Sequence, residues 1–337
     1  MFTAKSAEAK SHAIGRMAGI MGVMAALCAG AASAQEAVES YPSKSIRMVV
    51  PFPAGGGTDT MARLIAKGMQ ENWGQTVVVD NLSGAGGQIG AANVAKADPD
   101  GYTVMVSITS LIQQPPLYKN LAYDVYTDFK PVSMLAYSSD LLMVPASSPY
   151  NSVADLVADA RKNPGKITVG TYGAGTSSHM HLGLLQLLTD TKLVHVPYRG
   201  ASPEVIDLVG GQINAAFIDV TSARAHVGTD KVRTLAVTGK DRVSVAPDVQ
   251  TMGELGYEGY EANGWFAVFV PAKTPDAIVN KLSQEVNRII DTPEFMERIK
   301  ALSLRAGGTT PEETMEIMKR DGEGWKSIIE RASITID

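Results

Sequence analysis

Three glycine-rich turns carry the chemistry this sequence offers: Pro51-Phe52-Pro53-Ala54-Gly55-Gly56-Gly57-Thr58-Asp59, Gly84-Ala85-Gly86-Gly87, and Gly170-Thr171-Tyr172-Gly173-Ala174-Gly175-Thr176-Ser177-Ser178. The first and third each follow a strand pattern and open a helical one. At such a junction the first helical N–H groups have no partner, and the helix dipole adds partial positive charge. The product is an anion site made of backbone, with glycine admitting close approach. Phe52, Ala54, Gly55, Gly56, Gly57 and Thr58 are candidate ligand contacts on the first turn. Gly86 and Gly87 are candidates on the second, and Tyr172, Gly173, Gly175, Thr176, Ser177 and Ser178 on the third. A single turn of this kind is ordinary turn geometry, but two at equivalent junctions read as a site. Facing one cleft, they suit a ligand with one or two carboxylates.

Other side chains have both a functional and a structural reading. Asp59 either caps the helix that follows it or hydrogen-bonds a ligand amine, hydroxyl or water. Ser107 and Thr109 end a strand and can supply hydroxyls, while Asp219 occupies the corresponding edge further along. Tyr198 lies just past a strand end, where its phenol either reaches a ligand or packs. His179 and His181 are two apart on a helix and do not face each other, so no metal site is expected. His179 instead braces the helix start beside the cleft, and His195, in an alternating strand, reads as structural. Trp265 reads as core.

No catalytic residues and no cofactor are expected. Ala54-Gly55-Gly56-Gly57-Thr58-Asp59 with Asp80 imitates a dinucleotide fingerprint but lacks its third glycine. No phosphate-binding G-x-x-x-x-G-K-[ST], nucleophile-elbow G-x-S-x-G or zinc-binding H-E-x-x-H pattern occurs.

The elements that must position these turns alternate strand and helix, an α/β pattern with mostly parallel sheets expected. Strands are predicted at 46–51, 76–79, 102–107, 167–171, 193–197, 215–219 and 235–238. Helices are predicted at 58–73, 88–96, 152–162, 177–189 and 201–209. Two extended segments, 132–144 and 264–271, interrupt the alternation. Only helices are expected afterwards, at 275–291, 293–302 and 311–332, each with a proline near its first turn. Helices without a sheet of their own must return to the first one. The expected organisation is therefore one lobe of 41–137 plus 263–337 and a second of 138–262, joined by two crossings that form a hinge.

Residues 1–34 read as a secretory signal: Lys5, Lys10 and Arg16, an apolar run from Met17 to Ala29, then Ala32-Ser33-Ala34. The run is shorter than the ~20 residues that span a bilayer. Lipidation at Cys28 is disfavoured by Leu27. Cleavage after Ala34 would remove Cys28, the sole cysteine, and leave 27 basic against 34 acidic residues, a charge of −7. Such a chain is expected to be periplasmic, monomeric, not inserted in a membrane and not a nucleic-acid binder.

Several of these segments resemble the Bug family of extracytoplasmic solute receptors of tripartite tricarboxylate transporters. They are Tyr41-Pro42-Ser43-Lys44, Val49–Asp59, Val77–Asn81, Gly84–Gly87, Pro99-Asp100-Gly101-Tyr102-Thr103, Gly175–His179, His195–Gly200, Leu208–Gln212, Leu235–Thr238 and Pro247–Val249. The resemblance implies a two-lobed type II periplasmic-binding-protein fold with two crossover strands and a ligand cleft between the lobes. It implies capture of a small carboxylate, mono-, di- or tricarboxylate or aromatic, through main-chain groups and waters of the loops matching Phe52–Asp59 and Tyr172–Ser178. The implied partners are membrane permease subunits; a sensing subunit for a membrane signalling protein is the alternative. Leu82-Ser83 and Asp219-Val220-Thr221-Ser222 depart from the family pattern, so the compound itself does not carry over.

Overall fold

Strand β1 (Ile46–Val50) runs into the first glycine-rich turn and then helix α1 (Gly57–Trp73). Strand β2 (Val77–Asn81), helix α2 (Gln88–Ala95) and strand β3 (Thr103–Ile108) complete a βαβαβ opening. The computed structural model describes residues 39–260 and 264–336. Residues 44–337 belong to one compact unit; of the unit formed by residues 1–43, only 39–43 are described. The predicted signal at 1–34 lies outside the described residues.

A one-turn helix α3 (Ser110–Gln113) precedes β4 (Phe129–Ser138) and β5 (Asp140–Pro145). Then come α4 (Val153–Lys162), β6 (Thr168–Thr171), α5 (Ser177–Thr189), β7 (Val194–Pro197), α6 (Ala201–Val209), β8 (Ala215–Asp219), α7 (Val220–Ala223) and β9 (Val232–Val237). The chain continues through β10 (Gly264–Pro271), α8 (Asp276–Ile290), α9 (Pro293–Ala301), β11 (Arg305–Ala306) and α10 (Pro311–Arg331).

Two sheets result, ordered β11-β4-β10-β3-β1-β2 and β7-β6-β8-β5-β9. Strand β1 pairs in parallel with β2 and β3, and β6 with β7 and β8. The expectation of mostly parallel sheets needs correction, because β10 is antiparallel to β3 and β4, and β5 to β8 and β9. The reason is geometric. Strands β5 and β10 each enter a lobe from the cleft, whereas the strands beside them end there. The fold is two-lobed, with the cleft outside the carboxyl ends of most strands, where α/β sheets bind ligands.

Local chemistry explains the helix ends. Helix α1 buries Met61, Ile65 and Met69 on one stripe and stops at Gly74, left-handed at φ 66°. Helix α10 starts with a capping box between Thr310 and Glu313 and with Pro311 in its first turn. Pro293 does the same for α9, but Pro275 sits one position earlier, at the N-cap of α8. The expectation of helices alone after β10 also needs correction. Arg305 and Ala306 pair with Tyr137 and Ala136 as a short edge strand, and the Arg305 guanidinium lies 4.0 Å over the Tyr137 ring. Two residues carry no alternation to read. Helix α10 packs on β4 and on α5, and buried Trp265 and Trp325 belong to the hydrophobic cluster the two sheets share.

Candidate functional site

A cavity of about 70 Å³ opens between the two sheets. Three helix N-termini border it. Helix α1 begins after Gly56, α5 after Thr176 and α6 after Gly200, and none of the three has a side-chain cap. Thr176 could have capped α5, but its hydroxyl donates to Gly173 O at 2.7 Å instead. Helices α4, α9 and α10, whose first turns lie outside this cavity, are capped by Ser152, Thr292 and Thr310. Helices α2 and α8, also outside it, have no side-chain cap either; at the cavity an uncapped start leaves free the N–H groups that an anion needs. Gly200 adopts φ 119°, a conformation that lets the chain turn from β7 into α6.

One wall comes from the β1–α1 turn (Phe52, Pro53, Gly56, Gly57, Thr58), from Ile108 and Thr109, and from Gly264–Phe266. Ser138 and Asp140 contribute from the first crossing. The opposite wall is Tyr172, Ser177, Gly200–Pro203 and Asp219. Trp265 and Thr109 bind each other through two hydrogen bonds, Trp265 N to Thr109 Oγ1 at 2.7 Å and Thr109 N to Trp265 O at 3.2 Å. The Thr109 hydroxyl is thereby oriented. Trp265 is core, at 1% exposure, and still forms part of the cavity wall.

Of the ligand contacts expected from sequence, Phe52, Gly56, Gly57, Thr58, Thr109, Tyr172, Ser177 and Asp219 line this cavity. A second, outer cavity shares Phe52, Pro53, Tyr172 and Gly200 with it, so the two are neighbours. Gly86, Gly87, Gly173 and Tyr198 line the outer one, together with Arg199. The Tyr198 phenol donates to Asp207 at 2.7 Å; burial and that carboxylate raise its pKa.

The remaining candidates stand behind these walls. Asp59 accepts from Gly55 N, from Arg63 Nε at 2.9 Å and from Asn81 Nδ2. Burial works against its charge, but these donors outweigh it and hold the carboxyl below its ordinary pKa. Neither Ala54 nor Gly55 lines either cavity. Ser107 is buried in β3. Ser178 Oγ accepts from Tyr172 N at 3.1 Å, and His179 Nδ1 from Gly175 N at 3.3 Å. A Cβ on Gly175 would meet Ile336, Leu117 and Tyr118. His195 stacks on His179 with ring centroids 4.0 Å apart and meets Thr171 Oγ1 at 2.7 Å.

Sequence reading missed Ser138, Asp140, Ser202, Pro203 and Phe266. Asp140 begins an apolar strand run and gives no local signal. The α6 terminus was legible, since Tyr198-Arg199-Gly200 also joins a strand to a helix. Tyr172 donates to both oxygens of Asp140 at 3.3 Å. Its phenol pKa is raised well above normal by burial, then by the charges of Asp140 and Asp219. Asp219 is raised by burial as well, against hydrogen bonds from Thr221 and Ser222. Among the described residues no group of three or more His, Cys, Asp or Glu could hold a metal ion, and no helix is long and apolar enough to cross a membrane.

Residues 61–334 match the model of the tripartite tricarboxylate transporter family receptor. A protein of the tcbD–tcbE intergenic region of Pseudomonas sp. strain P51 is 39% identical over 94% of this chain and 94% of its own. BugT of Bordetella pertussis is 33% identical over 88% of this chain and 92% of its own. Among solved structures, R. palustris Rpa4515 with adipate superposes with a TM-score of 0.84 at 32% identity, covering 88% of this chain and 99% of that one. MatC from Rhodopseudomonas palustris with bound malate gives 0.81 at 29% identity, covering 86% and 100%.

Proposed function

Because the chain belongs to the tripartite tricarboxylate transporter receptor family, we propose that its cleft captures a small carboxylate and delivers it to membrane permease subunits. It is a receptor rather than an enzyme. The observation that carries the ligand class is the convergence of three uncapped helix N-termini on one cavity. Relatives solved with adipate and with malate support the same class. Each terminus contributes ~0.3–2 kcal/mol to holding an anion. Micromolar binding needs about 8 kcal/mol, so hydrogen bonds, waters and contact with Phe52, Trp265 and Phe266 supply the rest.

The proposed mechanism is lobe closure. Residues 41–137 plus 263–337 act as one body and 138–262 as the other. A carboxylate docks on the β1–α1 turn, and closure recruits the starts of α5 and α6. Gln113 Nε2 already donates across the cleft to Ser177 Oγ at 3.0 Å, and a Cβ on Gly57 would press on Thr221 and Asp219. Those contacts support a closed arrangement, the form that would present both lobes to a permease. The mature chain is proposed to be a periplasmic monomer starting at Gln35, which mass spectrometry of the exported protein checks.

Calorimetric titration with mono-, di- and tricarboxylates tests the ligand class, and solution scattering tests closure. Micromolar binding of at least one carboxylate, with compaction at saturation, is the expected result. No binding across the panel would remove the carboxylate reading. Binding without compaction would remove the closure mechanism.

A further inference from the structure

A groove of about 410 Å³ shares Ser138, and no other lining residue, with the ligand cavity. Its walls come from both proposed bodies. Asp241–Ser244, which follow β9, form one wall, and residues of α9 and β11 form the other. Ser138 and Ser139, where the chain crosses from β4 to β5, lie between them. Ser244 Oγ donates to Ser303 Oγ at 3.0 Å, a direct hydrogen bond from one wall to the other. A groove with one wall on each body and the crossing between them must change width when the bodies rotate. Whatever sits in it therefore reads the angle between the lobes.

The charge of the groove runs against that of the chain, which has 35 acidic and 30 basic residues. The α9–β11 wall carries Lys300 and Arg305 and no acid. Neither has an acidic partner among the described residues. On the facing wall Arg242 is already paired with Glu254 at 2.9 Å, beside Asp241. Arg305 lies flat over the Tyr137 ring, which leaves the N–H edge of its guanidinium for a carboxylate. Met296 lines the same wall and is 47% exposed. Tyrosine, methionine and arginine are the types enriched where proteins dock on one another.

We propose that this hinge groove is a docking surface for the membrane permease and receives an acidic extracytoplasmic segment of it. Its carboxylates pair with Lys300 and Arg305, and its apolar side chains cover Met296. A chain segment fits better than a small free anion, because exposed ion pairs are individually weak and apolar contact must supplement them. The inference rests on the delivery and closure readings above and adds to them. By gripping the groove, the permease distinguishes the closed receptor from the open one without reaching into the ligand cleft.

The test is charge reversal in the full mature protein. Lys300→Glu alone and Lys300→Glu with Arg305→Glu are compared with Lys166→Glu and Lys192→Glu together, a pair of exposed lysines that line neither this groove nor the ligand cavity. Calorimetry uses the tightest binder of the mono-, di- and tricarboxylate panel, and uptake of the same compound, radiolabelled, is measured in cells that carry the chain's permease. The groove variants should bind the carboxylate within about threefold of the parent, yet lower uptake tenfold or more for the double reversal. The control pair should leave both unchanged. Suppressors of the double reversal should exchange an acidic residue for a basic one in an extracytoplasmic segment of the permease. Normal binding with normal uptake in the groove variants would overturn the inference and leave the receptor reading standing. Equal loss of uptake in the control pair would overturn it too, by showing that net charge rather than this groove matters. No binding or no uptake with the unaltered chain would count against the delivery reading and, with it, this one. Lys300 is an exposed helix side chain, so its single reversal decides the question even where the double variant does not fold.

Discussion

His181 Nδ1 lies 2.9 Å from Asp140 Oδ2 with both side chains buried, at 1% and 4% exposure. The imidazole is enclosed by Phe217, Tyr260 and Trp325, whose ring centroids lie 5.8, 5.5 and 5.6 Å away. Aromatic packing thus fixes the ring, and the ring fixes the carboxylate at the cavity wall. Replacing His181 by alanine leaves Asp140 with the 3.3 Å contacts of Tyr172 as its remaining side-chain hydrogen bonds. Leaving a buried hydrogen-bond acceptor unsatisfied costs about 1–3 kcal/mol and the space left by the imidazole adds to it, so His181→Ala should lower the urea unfolding free energy by about 3 kcal/mol. A loss below about 1 kcal/mol would show that the pair is not a structural element.

Gly57 controls how close the lobes come. An added Cβ there would clash with Thr221 Oγ1 and stand 3.1 Å from Asp219 Oδ1 and 3.2 Å from the Phe266 ring. Gly56 is different: its φ is −81° and the nearest atom to a built Cβ is Pro53 O at 3.7 Å. Gly57→Val should weaken carboxylate binding tenfold or more, about 1.4 kcal/mol, whereas Gly56→Ala should change it by about threefold or less. Titration of both variants checks the contrast. Equal affinities would mean that contact across the cleft at Gly57 has no part in binding.

Much of this was legible from local pattern. The strand–turn–helix junctions at Gly56 and Thr176 follow from glycine-rich turns between apolar strands and helices, and helix 177–189 has the bounds its pattern predicts. What local pattern could not reveal is pairing between distant residues. Strand β2 extends to Asn81 because Val50 pairs with it, and β9 starts at Val232 because Pro145 does. Asp140 faces Asp219 only through the order β8-β5-β9, which no window of sequence contains. The outer placement of Tyr198 has the same origin, since its phenol is drawn to Asp207 one helical stretch away.

The stacked histidines make stability depend on pH. Burial lowers His179 to about 3, with its neighbour His195 adding to the effect, and burial lowers His195 to about 4. Both are neutral in the native state, and His179 Nδ1 must be unprotonated to accept from Gly175 N. The unfolded chain takes up these protons near pH 6.5, the folded one only far lower. Their contribution is therefore complete above about pH 6.5 and is lost as pH falls toward 4 and then 3. A His179→Gln, His195→Gln double variant should lose stability less steeply between pH 6.5 and 4.5 than the parent. Parallel urea-midpoint profiles would contradict the assignment.

Glu204 makes the opposite prediction. Its carboxyl is fully buried with both oxygens unpaired among the described residues, and burial raises its pKa well above normal. At pH 7 the unfolded chain carries this group ionised, so folding must either bury the charge or take up a proton. The native state then binds more protons than the unfolded state, and stability falls as pH rises through the unfolded pKa toward the folded one. Removing the group removes that cost. Glu204→Met keeps the volume approximately and should raise the unfolding free energy at pH 7 by roughly 1–3 kcal/mol, the usual penalty of an unsatisfied buried polar group. The gain should shrink at pH 4, where the unfolded carboxyl also binds its proton. If the variant is instead destabilised at pH 7, Glu204 has a stabilising partner in the protein as it exists in solution, and a bound cation is the first candidate to look for by titration.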